Sequence, residues 1–227
     1  MSKKIRMSGV FIIITMVLLI ASQSSASAQD FRLNVGVFGG LTYSTASEAV
    51  DGYSETEFES GSAFGGSLFY SPTTTFNGGF ELMVERFSMD LEEEGEDFGT
   101  LNMTPILLLF KFQGRPAQHT GFTGHGDIGA GVALTSFDKG AFVTDLENAY
   151  DVRATIDTDP AFVFTFSAGL DYFFTPQFSL FLDGRLNFMN VDTDWIFSES
   201  VGQAVVDINS FRASNVQVLL GIKAWIK

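Results

Sequence analysis

The sequence contains no cysteine and few basic residues. Without cysteine the chain can form neither a disulfide nor the lipid-modified N-terminus of a lipoprotein. It carries 13 Lys and Arg against 27 Asp and Glu, which gives a formal net charge of −14. A chain this acidic is a poor partner for nucleic acid or for an anionic membrane surface. We therefore expect a disulfide-free protein that binds no nucleic acid.

The sequence also lacks a hydrophobic run long enough to span a membrane comfortably as a helix. The best run, residues 10–21, has 12 residues, fewer than the roughly 20 that a spanning helix needs. It follows Lys3, Lys4 and Arg6 and precedes a polar stretch that ends in Ala28. This layout predicts a secretory signal peptide at residues 1–28 and a single domain at residues 29–227.

Cleavage after Ala28 makes the remaining chain more acidic. It removes three of the 13 basic residues and none of the 27 acidic ones, which leaves a net charge of −17. No later segment approaches a spanning helix. If residues 29–227 lie in a membrane, they must therefore form closed β-structure.

Alternation of apolar and polar residues is the main pattern in the rest of the chain. Between residues 162 and 174 the even positions are mostly Phe, Leu and Tyr, whereas the odd positions include Thr165, Ser167 and Asp171. The arm after residues 175–177 repeats this pattern, with Asp183 and Arg185 on the polar side. A period of two predicts strands with one apolar face. Aspartates and arginine thus share the face opposite the phenylalanines.

The same test predicts eight strands along the mature chain. They cover residues 31–44, 62–70, 76–87, 101–112, 122–137, 162–174, 178–188 and 215–227. The connections alternate between short ones, at residues 71–75, 113–121 and 175–177, and long ones, at residues 45–61, 88–100, 138–161 and 190–214. This alternation is typical of bacterial outer-membrane barrels. We predict an all-β protein, an eight-stranded antiparallel up-and-down transmembrane β-barrel.

Acidic residues are concentrated in the long connections, which hold 21 of the 27. This predicts that the long loops are extracellular and that both mature termini lie in the periplasm. An acid on the lipid face would be destabilising near mid-membrane, so the remaining strand acids are predicted to face the lumen. The outer surface is expected to contact outer-membrane lipids and lipopolysaccharide. The tract at residues 90–97, DLEEEGED, is either a solvated loop or a contact to lipopolysaccharide through divalent cations.

The polar faces of the predicted strands also contain large apolar residues. The candidate apolar lining of the lumen consists of Phe38, Phe87, Phe137, Phe173, Phe181 and Trp225. The candidate charge network in the lumen consists of Arg32, Glu81, Glu85, Asp127, Asp171, Asp183, Arg185 and Lys223. Eight strands leave an interior only just wide enough for side chains to fill it. These residues therefore either form a packed core or line a narrow path for small hydrophobic molecules.

The sequence shows little sign of an enzyme or of a bound cofactor. His119 falls in a short turn and His125 shares a strand face with Asp127, and neither has a candidate nucleophile nearby in sequence. The glycine-rich stretch at residues 124–131 lies within a predicted strand, so it is no phosphate-binding loop. We expect no enzymatic activity, no cofactor and no metal site.

Four segments resemble the outer-membrane protein W family of small eight-stranded barrels. They are LNMTPILLLFKF (residues 101–112), GHGDIGAGVALTSF (124–137), GLDYFFTPQFSLFLDGRL (169–186) and MNVDTDW (189–195). The resemblance implies a narrow apolar conduit for small hydrophobic molecules, constricted by a tryptophan whose position here is Asn187. It also implies recognition by the barrel-insertion machinery through a C-terminal aromatic residue. In this chain Trp225 lies two residues before the terminal Lys227.

A structural or surface-interaction barrel is the alternative to the conduit. In that case the lumen is plugged and the acidic loops meet envelope partners, host molecules or cations. The alternation of residues along the strands does not decide between a conduit and a plugged barrel, because the width of the lumen depends on side-chain packing.

Overall fold

The computed structural model describes residues 32–45, 56–72, 78–93, 96–114, 120–199, 202–206 and 210–226. The predicted signal peptide at residues 1–28 and the turn residue His119 lie outside these ranges. Among the described residues, no helix has the length and apolar character needed to cross a membrane.

The described chain folds into strands and a single described α-helix. In chain order they are β1 (Leu33–Ser44), β2 (Thr56–Phe58), β3 (Gly61–Tyr70), β4 (Gly78–Glu93), β5 (Glu96–Gln113), β6 (Gly121–Lys139), α1 (Ala141–Tyr150), β7 (Arg153–Thr158), β8 (Ala161–Thr175), β9 (Phe178–Phe188), β10 (Asn190–Val191), β11 (Thr193–Glu199), β12 (Gly202–Val206), β13 (Phe211–Arg212) and β14 (Asn215–Ile226).

Eight of these strands close into an antiparallel barrel. The order around the ring is β1, β3, β4, β5, β6, β8, β9 and β14, and β14 pairs with β1 from Leu33–Ile226 to Ser44–Asn215. Closure leaves none of these eight strands at an open edge, which is the condition for crossing a membrane with β-structure. The predicted eight-stranded antiparallel barrel is confirmed.

The two ends of the barrel differ in their connections. At the turn end, β8 and β9 are joined by two residues, and the Thr175 hydroxyl accepts hydrogen bonds from the backbone N–H groups of Gln177 and Phe178. At the opposite, loop end, β6 and β8 are separated by α1 and β7, and β9 and β14 are separated by β10 to β13. Both ends of the described chain lie at the turn end.

The outer wall of the barrel is apolar. Even-numbered residues of β8 face outward, and Phe162 is 68 % exposed while Leu170 is 56 % exposed. The outward positions of the neighbouring strands are also large and apolar, for example Leu108 on β5 and Leu220 on β14. Alternation thus places phenylalanine and leucine outside and the ionic residues inside, as the sequence predicted.

The loop end contains structure that the sequence analysis did not predict. Residues 88–100, predicted as a loop, mostly continue β4 and β5, which pair as far as Glu93 and Glu96. The predicted loop at residues 138–161 contains α1 and β7, and β7 pairs with β11 from the predicted loop at residues 190–214. The β4–β5 extension is a local hairpin, whereas the β7–β11 pairing joins distant segments and is not encoded by local sequence.

Candidate functional site

A layer of buried ions crosses the barrel interior. It comes from six of the eight barrel strands, and every member is at most 7 % exposed. We define this ion layer by nine side chains: Glu81, Glu85, Lys111, His125, Asp127, Asp171, Asp183, Arg185 and Lys223. On the two remaining strands, Phe38 of β1 and Ser67 of β3 are also buried.

Ion pairs link the members of the ion layer. Arg185 Nη1 donates to Glu85 Oε2 at 2.7 Å, and its Nη2 donates to Asp183 Oδ2 at 3.0 Å. Lys223 Nζ donates to Asp171 Oδ1 at 2.7 Å, and Lys111 Nζ donates to Glu81 Oε2 at 2.6 Å. Buried charges require such partners, because an unpaired one loses its hydration without compensation.

Polar neighbours and aromatic rings complete the ion layer. Gln217 donates to Glu85 at 3.1 Å and Gln113 donates to Asp171 at 2.6 Å. The Lys223 ammonium lies 4.4 Å from the centroid of the Phe181 ring, and the Arg185 guanidinium lies 5.6 Å from that of Phe38. Both rings are thus placed to interact with a cation through their faces.

The ion layer differs from the predicted charge network in three members. Arg32 is exposed, lies just before β1 and forms no ion pair among the described residues. It therefore does not belong to the buried cluster, although its even position had predicted that it would. Lys111 and His125 do belong to it. The signal for Lys111 was its odd position on β5, but Thr104 suggested the opposite phase for that strand.

An apolar compartment occupies the lumen between the ion layer and the loop end. Barrel strands contribute Phe87 and Met103, and the loop-end segments contribute Trp195 and Phe211. We define the compartment by these four and by the following residues packed with them: Phe58, Met89, Leu91, Phe98, Leu101, Ala133, Phe137, Val143, Ala154, Ile156, Ala161, Val163, Met189, Val191 and Ala213.

Aromatic rings from distant segments meet inside the apolar compartment. Phe137 stacks on Phe211 with ring centroids 5.5 Å apart, and Phe58 contacts the edge of Phe211 at 5.8 Å. Phe137 also lies 6.1 Å from Trp195. Of the six candidate lining residues, Phe87 and Phe137 lie in this compartment, and Phe137 is only partly buried.

The other candidate lining residues lie lower in the barrel. Phe173 and Trp225 pack with Phe69 in a small aromatic cluster near the turn end, with centroids 5.7 Å and 6.1 Å from Trp225. Phe38 and Phe181 contact each other edge to face at the level of the ion layer. Four of the predicted lining residues, Phe38, Phe87, Phe137 and Phe181, therefore pack in one apolar cluster, whereas Phe173 and Trp225 lie in a separate cluster near the turn end. Asn187 is also buried, where it donates to Asn215 at 3.0 Å.

A cleft of about 610 Å³ opens in the barrel wall at the top of β8. Pairing of β8 with β9 starts at Phe164 and Phe188, although β8 itself starts at Ala161. A backbone hydrogen bond from Asp159 to Asp192, 3.0 Å long, closes the gap on the loop side. Lining residues include exposed Phe162 and the buried compartment residues Ala161 and Met189. The cleft thus connects the outer wall with the compartment boundary.

Helix α1 lies at the loop end, where Val143 packs into the apolar compartment. Lys139 Nζ donates to Glu147 Oε1 at 2.6 Å, and the backbone N–H of Ala154 donates to the same oxygen at 2.7 Å. These two hydrogen bonds, with that from Lys139 the stronger, hold the pKa of Glu147 below its usual range. An ionised Glu147 therefore fastens α1 between β6 and β7.

Within the described ranges, no group of three or more histidine, aspartate and glutamate side chains is arranged to hold a metal ion. A shallow cleft at the loop end is lined by Asp157, Asp159, Asp192 and Asp194. This cleft belongs to the acidic surface that the sequence places in the long loops.

Comparison by sequence finds no relative: no family model matches the chain, and no curated protein matches it. Comparison by structure finds small outer-membrane barrels. OprG, an outer membrane protein from Pseudomonas aeruginosa, superposes with a TM-score of 0.63 at 13 % identity, covering 88 % of this chain and 99 % of that one.

Two further barrels have the same architecture. Neisserial surface protein A aligns with a TM-score of 0.52 at 10 % identity, over 85 % of this chain and 96 % of that one. The outer membrane protein AlkL aligns with a TM-score of 0.50 at 15 % identity, over 90 % of this chain and 94 % of that one. With its closed ring and apolar outer wall, the chain thus has the fold of a small eight-stranded outer-membrane β-barrel.

Proposed function

We propose that the barrel binds small apolar molecules in its apolar compartment and exchanges them with the membrane through the wall cleft. The observation that carries the proposal is the division of the interior. An apolar compartment occupies the half near the loop end, and a packed ion layer lies below it. Apolar surface gains roughly 25 cal/mol per Å² when it leaves water, so the compartment favours apolar solutes.

The ion layer opposes passage straight through the barrel. Its side chains are paired and buried, and an apolar molecule between Arg185 and Glu85 would separate their charges without replacing their hydrogen bonds. An apolar molecule would leave the compartment at a lower free-energy cost through the barrel wall, past Ala161 and Met189 and into the cleft beside Phe162. A wide aqueous pore is disfavoured as well, because such pores belong to barrels of 16 or more strands.

Orientation and partners form part of the same proposal. The loop end faces the cell exterior, where the acidic loops lie next to lipopolysaccharide, and the turn end faces the periplasm. The signal peptide is removed after Ala28, and the barrel-insertion machinery assembles residues 29–227. Apolar solutes would then enter from outside and leave into the membrane.

The barrel is proposed to be non-enzymatic. His125 is the single histidine among the described residues, and its two ring nitrogens each face an aspartate oxygen, on Asp171 and Asp183. General-base catalysis by histidine requires a ring nitrogen free to take a proton from a nucleophile. In this arrangement neither nitrogen points to one.

Uptake of a fluorescent apolar probe, N-phenyl-1-naphthylamine, by liposomes that contain the folded barrel tests the proposal. Asn190→Trp fills the cleft from its exposed rim and should slow uptake several-fold. The matched control is Asn148→Trp, an exposed asparagine on α1 outside the cleft, which should leave uptake unchanged. Faster uptake than in empty liposomes, lost only in Asn190→Trp, supports the proposal.

A structural or surface-interaction barrel is the second candidate, and the packing of the compartment favours it. Phe87, Met103 and Phe211 are at most 1 % exposed, so the compartment is filled by its own side chains. If uptake equals that of empty liposomes and neither variant changes it, the barrel conducts nothing. The acidic loop-end surface then becomes the functional part of the molecule.

A further inference from the structure

His125 is held between two carboxylates at the centre of the ion layer. Its Nδ1 lies 2.5 Å from Asp171 Oδ2, and its Nε2 lies 3.1 Å from Asp183 Oδ1. All three side chains are buried, with at most 2 % of their side-chain surface exposed. The three groups come from adjacent strands, β6, β8 and β9.

Two hydrogen bonds in this triad require two protons. A neutral imidazole has a proton on one ring nitrogen and a lone pair on the other, and an ionised carboxylate has acceptors only. With a neutral histidine and two carboxylates, one contact would therefore place a nitrogen lone pair against a carboxylate oxygen. A second proton removes that repulsion, whether it resides on the ring or on an aspartate.

The neighbours of the triad do not supply this proton by other means. Asp171 also accepts hydrogen bonds from Lys223 at 2.7 Å and Gln113 at 2.6 Å, which occupy other directions around its oxygens. Asp183 also accepts one from Arg185 at 3.0 Å. None of these donors bonds to a ring nitrogen of His125.

The charge of the ion layer favours the extra proton as well. The layer contains five carboxylates, those of Glu81, Glu85, Asp127, Asp171 and Asp183, and three basic side chains, those of Lys111, Arg185 and Lys223. One added proton brings this buried set closer to neutrality, and a buried net charge is costly.

We propose that Asp171, His125 and Asp183 form a proton-binding site, which holds one proton more than a neutral histidine between two carboxylates. The bound proton joins β6 to both β8 and β9 through the interior. Without this proton one of these bonds becomes a repulsion between a nitrogen lone pair and a carboxylate oxygen, which weakens the barrel. This site is independent of the proposed binding of apolar molecules.

Nitrogen-15 NMR of labelled histidine in the full barrel, reconstituted in lipid nanodiscs, tests the site. The chain has only two histidines, so His119→Asn leaves the signal of His125 alone. At pH 7 we expect both ring nitrogens to carry protons. If one nitrogen lacks a proton, the infrared spectrum must instead show a protonated carboxyl band that disappears in Asp183→Asn. One bare nitrogen without that band overturns the proposal.

Asp183→Asn provides a second test that a merely structural role would not pass. The asparagine amide donates a hydrogen bond to Nε2, so the triad no longer needs a second proton. We expect one unprotonated ring nitrogen in this variant at pH 7. A variant in which both ring nitrogens of His125 carry protons contradicts the site.

Discussion

Removal of the Arg185 guanidinium should destabilise the barrel far more than removal of a charge at the surface. Arg185 is 4 % exposed and donates one hydrogen bond to Glu85 and another to Asp183. A hydrogen bond to a charged group contributes about 1.5–3 kcal/mol, and loss of one partner of a buried ion pair costs about 3–5 kcal/mol. We therefore expect Arg185→Leu to lower the free energy of unfolding by about 3–5 kcal/mol.

A matched substitution at the loop end gives the scale for this effect. Lys139 bonds to Glu147 at 2.6 Å, but their side chains are 32 % and 18 % exposed. Ion pairs near solvent contribute at most about 1 kcal/mol, so Lys139→Leu should cost no more than that. Urea titration of the liposome-embedded barrel, followed by the gel mobility difference between folded and unfolded chains, measures both variants.

A second substitution separates the lost ion pair from lost packing. In the Arg185→Leu background the Glu85 carboxylate keeps only Gln217 as its described partner. Glu85→Gln should therefore be far less harmful in that background than in the parent protein. The reasoning is refuted if Arg185→Leu costs no more than Lys139→Leu, or if the effects of Arg185→Leu and Glu85→Gln simply add.

Three further outcomes are expected. Gly221→Ala would place a Cβ 2.4 Å from the Val37 carbonyl oxygen, so it should lower stability by about 1–3 kcal/mol, whereas Gly184→Ala, with its nearest neighbour 3.7 Å away, should be neutral in the same urea titration. Cysteine at Asn148 should react with an impermeant maleimide on intact cells and cysteine at Gln177 should not; the reverse pattern would invert the proposed orientation. Because the pKa of Glu147 is lowered in the folded state, its contribution is present at neutral pH and lost as the pH falls through that pKa. A spin label at Asn148 should accordingly become more mobile once the pH falls below the ordinary carboxylate range, and unchanged mobility would contradict this.

The sequence predicted the barrel because ions and phenylalanines occupy opposite faces of most strands. Asp171, Asp183 and Arg185 define the phase of β8 and β9, and the structure buries all three. The phase of β5 was ambiguous because Lys111 and Thr104 have opposite parity in an apolar strand. Lys111 lies inside because it contacts Glu81 on the neighbouring strand. The alternation of residues within one strand does not reveal such a contact between strands.

Most of the apolar compartment was beyond prediction for a different reason. Phe58, Trp195 and Phe211 lie in segments predicted as loops, and their burial depends on contacts with distant strands. Short segments such as β13 show no period that distinguishes a buried from an exposed strand. Arg32 illustrates the opposite error, since its parity was correct for β1 but the strand starts one residue later.

The seam between β1 and β14 has a consequence for the way the barrel is made. It pairs Leu33 with Ile226, so the strands that complete the ring are those furthest apart along the barrel sequence. Pairing of such distant segments is slow, because the chain loses much conformational freedom before the contacts form. Until then β1 and β14 each present an unpaired edge, and the hydrocarbon of a bilayer offers those backbone groups no partner. We therefore expect closure of this seam to be the slow step of assembly, and we expect a chain without Asn215–Ile226 to remain outside the membrane.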